Sequence, residues 1–153
     1  MKNSPLQLED YFVSDLQFSL LFDLKDVPPS GQDFDPVNLD LNTKTVRRGR
    51  DPRKWRCVLR VGAKPNGNYP YSFSIEYTGF FSVIDEFPAD FVEQMVKTNA
   101  PAILYSSARE ALMYLTGRGR LRSILLPSIT FLELPKGKKI ARATLPRKIA
   151  KKK

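Results

Sequence analysis

The sequence predicts an α+β fold in which a four-stranded antiparallel sheet carries two helices on one face. Three observations lead to this prediction. Apolar and polar residues alternate through much of the first half of the chain, which is the pattern of strands with one buried face. The pair Asn66-Gly67, which tolerates the positive φ angles of a tight hairpin turn, separates two such stretches. Apolar residues then recur at helical spacing, and strands followed by helices are typical of α+β folds.

The first strand is predicted over residues 8–24, where the even positions are largely apolar and several odd positions are polar. The apolar set is Phe12, Leu16, Phe18, Leu20, Phe22 and Leu24. Residues 25–34 contain Pro28-Pro29, and two consecutive prolines cannot donate to a sheet ladder. This stretch is therefore predicted to be a crossover loop, followed by a short strand over residues 37–41.

The hairpin around Asn66-Gly67 is predicted to pair residues 55–61 with residues 69–77, because both stretches alternate with a period of two. Cys57 lies on the same face as Trp55 and Leu59 in this pattern. A thiol on an apolar strand face behaves as a small hydrophobic group, so we expect Cys57 to be an inert core residue.

Two helices are predicted, over residues 88–98 and 101–116, because Pro101 suits the first turn of a new helix. The second helix has one apolar stripe, formed by Leu104, Ala108, Ala111, Leu112 and Leu115. Further apolar residues, Met113 among them, lie off this stripe. The helices are too few to cover this surface and the sheet, so we expect a homo-oligomer, a dimer or a tetramer, with Leu112 and Met113 at its interface.

The 153 residues suit one domain, predicted over residues 1–135, with a basic tail over 136–153. The tail holds nine Lys or Arg and no acid, whereas the preceding residues hold 16 basic and 16 acidic side chains. We expect the tail to be disordered and either to aid solubility or to contact an anionic surface. Residues 44–64 form a second basic cluster, with nine Lys or Arg against Asp51. This cluster is either a charged turn or a binding patch.

Composition removes several function classes. The chain has no histidine and one cysteine, which excludes histidine-dependent triads, internal disulfides and most zinc motifs. No glycine-rich phosphate loop or ligand-spaced cluster is present. We therefore expect no catalytic residues, no metal, no cofactor and no enzymatic activity. No apolar run approaches the roughly 20 residues of a membrane helix, and no signal segment is seen, so no membrane insertion and a cytoplasmic location are expected.

Several segments resemble the SecB family of protein-export chaperones. The stretch Asn99-Ala-Pro-Ala-Ile-Leu-Tyr-Ser-Ser-Ala-Arg109-Glu110 resembles the start of the family's long helix. Leu125-Leu126-Pro127-Ser128-Ile129-Thr130-Phe131 is similar to its Leu-x-Pro-Val-Asn-Phe close, and Gly79-Phe80-Phe81-Ser82-Val83 to its Gly-Ile-Phe-Ser-Ile. Asp33-Phe34-Asp35-Pro36 is similar to the Asp-Trp-x-Pro of its crossover loop. The motifs occur in collinear order over residues 7–131.

This resemblance implies an ATP-independent chaperone that assembles as a dimer of dimers and binds unfolded polypeptides in an apolar groove. Carried over to this chain, the groove residues are Phe34, Phe81, Tyr105, Leu126 and Ile129. The family also docks its export motor ATPase on an acidic sheet surface. Asp15 occupies one of those acidic positions, but Ser19 and Ser74 replace two others. The resemblance therefore supports client binding more strongly than delivery to the motor.

Two functions are favoured by the sequence over a third, an enzyme that would use Asp/Glu pairs for acid–base work. The first is a chaperone for protein export or for a dedicated client such as an antitoxin. The alternative is a nucleic-acid-binding module that uses the basic tail and the basic cluster of residues 44–64. The tail lacks the aromatic residues on which bases stack, so nucleic acid would be held there by charge alone.

Overall fold

The computed structural model describes residues 3–21, 38–64, 70–118 and 123–132, which form a four-stranded antiparallel sheet with one helix. The elements are β1 (Leu6–Leu20), β2 (Asn38–Arg47), β3 (Lys54–Lys64), β4 (Tyr71–Val83) and α1 (Ala89–Gly117). The predicted α+β class and the four antiparallel strands are confirmed. β2 and β4 are longer than predicted, since β2 continues to Arg47 and β4 continues to Val83.

The strands lie in the order β1-β4-β3-β2, so β1 and β2 occupy opposite edges of the sheet although they are consecutive in the chain. β3 and β4 pair in the middle, with Trp55 opposite Phe81 and Val61 opposite Ile75. The predicted crossover loop over residues 25–34 and the Asn66-Gly67 turn fall outside the described residues.

The core lies between α1 and the two central strands. Alternate residues of β3 and β4 face the helix, and they include the fully buried Cys57, Leu59 and Phe81. The helix comes close to β4 at Gly79, where an added methyl group would lie 2.9 Å from Leu104 Cδ2 and 2.9 Å from Phe81 Cε2. Glycine at this position therefore allows the helix to approach the sheet.

β1 does not follow the simple alternation predicted for it. Its pairing with β4 shifts register between Leu8 and Asp10 and again between Val13 and Asp15. Each shift changes which residues face the helix, because side chains alternate with a period of two. The helix-facing set is Leu6, Leu8, Tyr11, Val13, Leu16, Phe18 and Leu20. Phe12, which was predicted to share a face with Leu16, instead lies on the opposite face beside Phe80.

The described residues hold one helix where the sequence predicted two, so the two-helix prediction is not confirmed. Pro101 lies inside α1, and its side chain is fully buried. Proline has a φ angle close to the helical value and removes one backbone hydrogen bond, which tertiary packing can offset. Every fourth residue is buried without interruption from one end to the other: Val92, Val96, Ala100, Leu104, Ala108, Leu112 and Thr116. The described helix is not apolar enough along its length to cross a membrane.

Candidate functional site

The residues after α1 form an extended segment that is fastened along the helix by side chains. The Tyr105 hydroxyl donates to the Pro127 carbonyl at 2.7 Å, and Arg109 Nε donates to the Leu126 carbonyl at 3.1 Å. The Ile124 amide donates to Thr116 Oγ1 at 2.9 Å. These bonds satisfy backbone groups that have no strand partner here, and they hold the Leu126 side chain in the core.

The predicted groove residues fall into three groups. Phe81, Tyr105 and Leu126 are buried, with at most 4% of their surface exposed. Ile129 is half-buried, and Phe34 lies outside the described residues. The structure brings Tyr105 and the segment around Leu126 together, but these side chains have little surface to offer a second molecule. Phe81, Tyr105 and Leu126 belong to the hydrophobic core. The client groove itself, and client contact by Ile129 and Phe34, stay predictions.

A depression of about 610 Å³ lies between β2 and the first half of α1. Thr43 and Thr45 line it from the strand, and Phe131 lines it from the extended segment. From the helix it is lined by Asp90, Glu93, Gln94, Lys97 and Thr98. The Phe131 ring packs edge-on against Tyr105, with ring centroids 6.0 Å apart. Packing against Tyr105 therefore fixes the apolar side chain of Phe131 at the border of this depression.

Glu93 forms two ion pairs at the edge of the depression. Its carboxylate contacts Lys97 Nζ at 2.7 Å and Arg47 Nη2 at 3.3 Å. The hydrogen bond and charge of Lys97, with a smaller effect from Arg47, lower the pKa of the Glu93 carboxyl below its ordinary value. The sequence pattern does not indicate this site, because the residues that line it are mainly polar. The sequence feature that could have indicated the site is the alternation in β2, which places four residues on one face: Leu39, Leu41, Thr43 and Thr45.

The helix leaves much of the inner face of β1 uncovered, at the edge of the sheet opposite the β2 edge where this depression lies. Five apolar side chains of this face are between 37% and 46% exposed: Leu8, Tyr11, Val13, Leu16 and Leu20. We call this row the β1 strip. A contiguous apolar strip of this kind on an edge strand is typical of a surface that is covered in an assembly.

The two predicted interface residues of α1 lie in different environments. Leu112 is 1% exposed and packs within the chain, whereas Met113 is 44% exposed. The adjoining Tyr114 is 59% exposed, with the Arg118 guanidinium 4.4 Å from its ring centroid. Met113 and Tyr114 therefore have surface available to a second copy, and Leu112 has almost none.

The face of the sheet opposite α1 carries the predicted docking residue Asp15. Asp15 is half-buried on β1 and lies opposite Glu76 of β4. Ser74, which stands where the resemblance led us to expect an acid, accepts a hydrogen bond from Arg60 Nε at 3.0 Å. This face therefore carries acidic residues on β1 and β4 and an arginine on β3.

Several residues of the basic cluster have structural partners. Arg53 donates from its guanidinium to the carbonyls of Ile84, Asp85 and Phe87, at 2.7, 2.8 and 3.0 Å, and so fastens the connection between β4 and α1. Arg47 pairs with Glu93 and stacks on Trp55. Arg48 pairs with Glu9 and stacks on Phe80. These three cations favour the charged-turn interpretation of their part of the cluster.

Within the described residues, no group of three or more histidine, cysteine, aspartate or glutamate side chains is placed to hold a metal ion.

Comparison with known proteins identifies the class. The family model described as preprotein translocase subunit SecB matches residues 1–141. The chain therefore belongs to the SecB family of chaperones.

Two solved structures resemble the fold. One is the Mycobacterium tuberculosis SecB-like chaperone Rv1957, in complex with a ChAD peptide from the Rv1956 HigA1 antitoxin. It is 15% identical, with a TM-score of 0.54 over 82% of this chain and 90% of that chain. The other, a protein of unknown function from Streptococcus agalactiae, is 13% identical, with a TM-score of 0.48 over 80% of this chain and 97% of that chain.

Proposed function

We propose that this protein is an ATP-independent cytoplasmic chaperone that binds unfolded or non-native polypeptides. Its client is either a protein destined for export or a dedicated partner such as an antitoxin. Membership of the SecB family supports the chaperone role. The likeness in fold to a SecB-like chaperone that binds an antitoxin peptide supports a polypeptide client. No catalytic residue or cofactor has a part in this function.

The observation that carries the proposal is the depression between β2 and α1. β2 is an edge strand, and in the described part of the chain no further strand pairs with its outer side. An extended client segment can add to such an edge through backbone hydrogen bonds, while alternate side chains enter the adjoining depression. This mode tolerates many sequences, because the backbone supplies much of the contact.

Apolar side chains border the same region. Leu39 and Leu41 of β2 and Phe131 of the extended segment are half-buried and pack against the core. Phe34 precedes β2 by four positions in the sequence, and the family resemblance makes it a groove residue. In the proposal these side chains contact apolar client residues, at about 25 cal/mol per Å² of apolar surface removed from water.

The proposal includes assembly into a dimer or tetramer. The β1 strip and the exposed side chains Met113 and Tyr114 form the surface that a second copy covers. A larger assembly would place several client sites side by side, which raises the effective concentration of one site for a client already held at another.

The nucleic-acid alternative has less support. Arg47, Arg48 and Arg53 are engaged by partners within the chain, and the basic tail lies outside the described residues. No specific observation favours this function over client binding.

The test is a binding and aggregation assay with a reduced, alkylated protein that cannot refold. The wild-type chain should suppress aggregation without ATP. Phe34→Ala should weaken client binding by about 1–2 kcal/mol, as at an interface anchor, which corresponds to roughly a tenfold change. Phe131→Ala should also weaken client binding. Phe91→Ala is the matched control and should leave client binding unchanged, because Phe91 is 58% exposed and does not line the depression.

Phe81→Ala separates client contact from folding. Phe81 is fully buried, so its truncation should cost about 3–5 kcal/mol of stability, measured by urea denaturation. Phe34→Ala should cost much less. The client site is wrong if Phe34→Ala unfolds the protein while its folded molecules bind clients normally. The chaperone function itself is wrong if the wild-type chain does not bind the unfolded protein.

A further inference from the structure

We propose that the face of the sheet opposite α1 binds an acidic polypeptide segment through Lys44, Arg56 and Arg60. We call these three residues the outer-face cations. They lie on the face away from α1 and from the depression that holds the client in the proposed function. This binding site is therefore separate from the client site.

The outer-face cations form a triangle on neighbouring strands. Arg56 and Arg60 point to the outer face of β3, with Val58 between them, and Lys44 of β2 lies directly opposite Val58. Lys44 is thus diagonal to both arginines, a relation in which neighbouring residues lie roughly 7–8 Å apart. All three side chains are exposed, and they line a depression of about 670 Å³.

The positive charges of the outer-face cations are available to a bound anion. Among the described residues none of the three has an ion-pair partner, and the contact found for Arg60 is its hydrogen bond to the Ser74 hydroxyl. The nearby Glu76 carboxylate accepts a hydrogen bond from the Ser14 hydroxyl at 2.8 Å instead. Like charges on adjoining strands repel one another, so an anion placed between them relieves this repulsion.

The spacing of Arg56 and Arg60 determines which acidic segment fits the outer face. Arg56 and Arg60 are four residues apart on a strand, a distance of about 13 Å at the usual rise per residue. An extended peptide aligned with β3 places carboxylates at positions i and i+4 at the same spacing, with residue i+2 on the same side. Residue i+2 then lies over the half-buried Val58, which favours an apolar side chain there. The fitting segment therefore has two acidic residues four positions apart with an apolar residue midway.

The surroundings favour a short acidic peptide over a nucleic acid. Asp40 and Glu76 also line the depression, so a long polyanion that extends past the outer-face cations would meet carboxylates. The aromatic residue in this lining, Phe73, is 4% exposed and cannot act as a platform for base stacking. Arginine, by contrast, forms two parallel hydrogen bonds to a carboxylate.

The experiment measures fluorescence anisotropy of a labelled peptide of about ten residues, the length of a strand of this sheet, that contains Glu-Ser-Leu-Ser-Glu. Its control peptide contains Gln-Ser-Leu-Ser-Gln. We expect saturable binding of the acidic peptide and about tenfold weaker binding by the Arg56→Gln/Arg60→Gln variant, as two exposed charge-assisted contacts are lost. The matched Arg50→Gln/Arg118→Gln variant also removes two exposed arginines and should bind within about twofold of the wild type.

Several results would overturn the proposal. Equal binding of the glutamine peptide, or equal loss in the two double variants, would show that the outer-face cations do not recognise carboxylates. Displacement of the peptide by the reduced, alkylated protein would place it in the client site instead. Tighter binding of a labelled single-stranded oligonucleotide, lost in Arg56→Gln/Arg60→Gln, would make the face a nucleic-acid surface. Client binding by Arg56→Gln/Arg60→Gln should remain unchanged, so failure of this proposal and failure of the chaperone function give different results.

Discussion

The Cys57 thiol lies in the packed layer between the sheet and α1 and has no exposed surface. Thr45 donates a hydrogen bond from its hydroxyl to Cys57 Sγ at 3.6 Å. Burial raises the pKa of the thiol above its ordinary value of 9.0, and the hydrogen bond from Thr45 offsets part of this rise. The thiolate is the reactive form of cysteine, so we expect burial and the raised pKa to leave Cys57 unreactive. The predicted burial of Cys57 is confirmed.

We predict that native Cys57 resists alkylation by iodoacetamide and is labelled readily only in urea. Because its folded pKa lies above the unfolded value, its contribution to stability is complete below pH 9 and is lost as the pH rises further. The urea midpoint of the wild type should fall more between about pH 8 and about pH 10 than that of Cys57→Ala, which lacks the titrating group. Rapid labelling without urea, followed by mass spectrometry, would contradict the prediction.

Arg53 shows what charge patterning alone misses at the residue scale. Several nearby residues in the sequence, Arg50, Asp51 and Lys54, are charged, which indicates an exposed turn. Its side chain nevertheless donates to three backbone carbonyls of the connection after β4. An arginine that satisfies distant carbonyls cannot be distinguished by composition from one that is solvated. The partner groups lie more than thirty positions away in the sequence.

At the scale of elements, strands buried on one face were predictable and irregular elements were not. β3 and β4 alternate regularly, so their burial follows from the period of two. β1 changes register twice, and each shift reverses which residues face the core. For α1 the signal was present, because buried positions recur every fourth residue through Pro101. The sequence prediction took Pro101 as the start of a new helix. It therefore divided one helix into two, although the buried face of α1 is continuous through Pro101.

We predict that Gly79→Ala destabilises the protein by about 1–3 kcal/mol, the usual cost of overpacking a core. The new methyl group would lie 2.9 Å from Leu104 Cδ2, so the helix or its side chains must shift. Gly62→Ala is the matched control in the same sheet. Its methyl group would meet nothing closer than the Phe73 carbonyl oxygen at 3.5 Å, which is ordinary contact.

Urea denaturation of both alanine variants measures the difference. Equal stability of Gly79→Ala and Gly62→Ala would show that α1 does not approach β4 as closely as described. A loss confined to Gly79→Ala would instead explain why this strand has a glycine on its helix-facing side.

At the scale of the whole molecule, three surfaces have distinct physical character. The β1 strip is apolar, the depression between β2 and α1 is polar with an apolar border, and the outer-face cations form a basic surface on the other side of the sheet. The net charge of +9 conceals this division, because it equals the charge of residues 136–153, while residues 1–135 hold 16 basic and 16 acidic side chains at different places. Function therefore depends on where charge is placed more than on its total.

The candidate site was only partly predictable, because it depends on how distant parts of the chain are arranged in space. The resemblance assigned Tyr105 and Leu126 to one groove, and in the structure both belong to the core, with the Tyr105 hydroxyl bonded to the carbonyl of Pro127, the residue after Leu126. It could not indicate that both are buried, since exposure depends on the path of the extended segment along α1. The depression beside β2 combines residues from a strand, a helix and this segment, and a spacing pattern in one segment cannot identify such a site.

Two neighbouring residues of α1, Leu112 and Met113, distinguish the oligomer interface from the core. Met113→Glu should dissociate the oligomer into folded monomers, because Met113 is exposed in the single chain and a charge there opposes burial against a second copy. Leu112→Glu should unfold the chain, because Leu112 is 1% exposed and an unpaired buried charge costs several kcal/mol, roughly. Light scattering measures the mass and circular dichroism measures folding. A wild-type monomer at micromolar concentration would refute assembly, and a folded Met113→Glu oligomer of unchanged mass would show that Met113 does not lie in the interface.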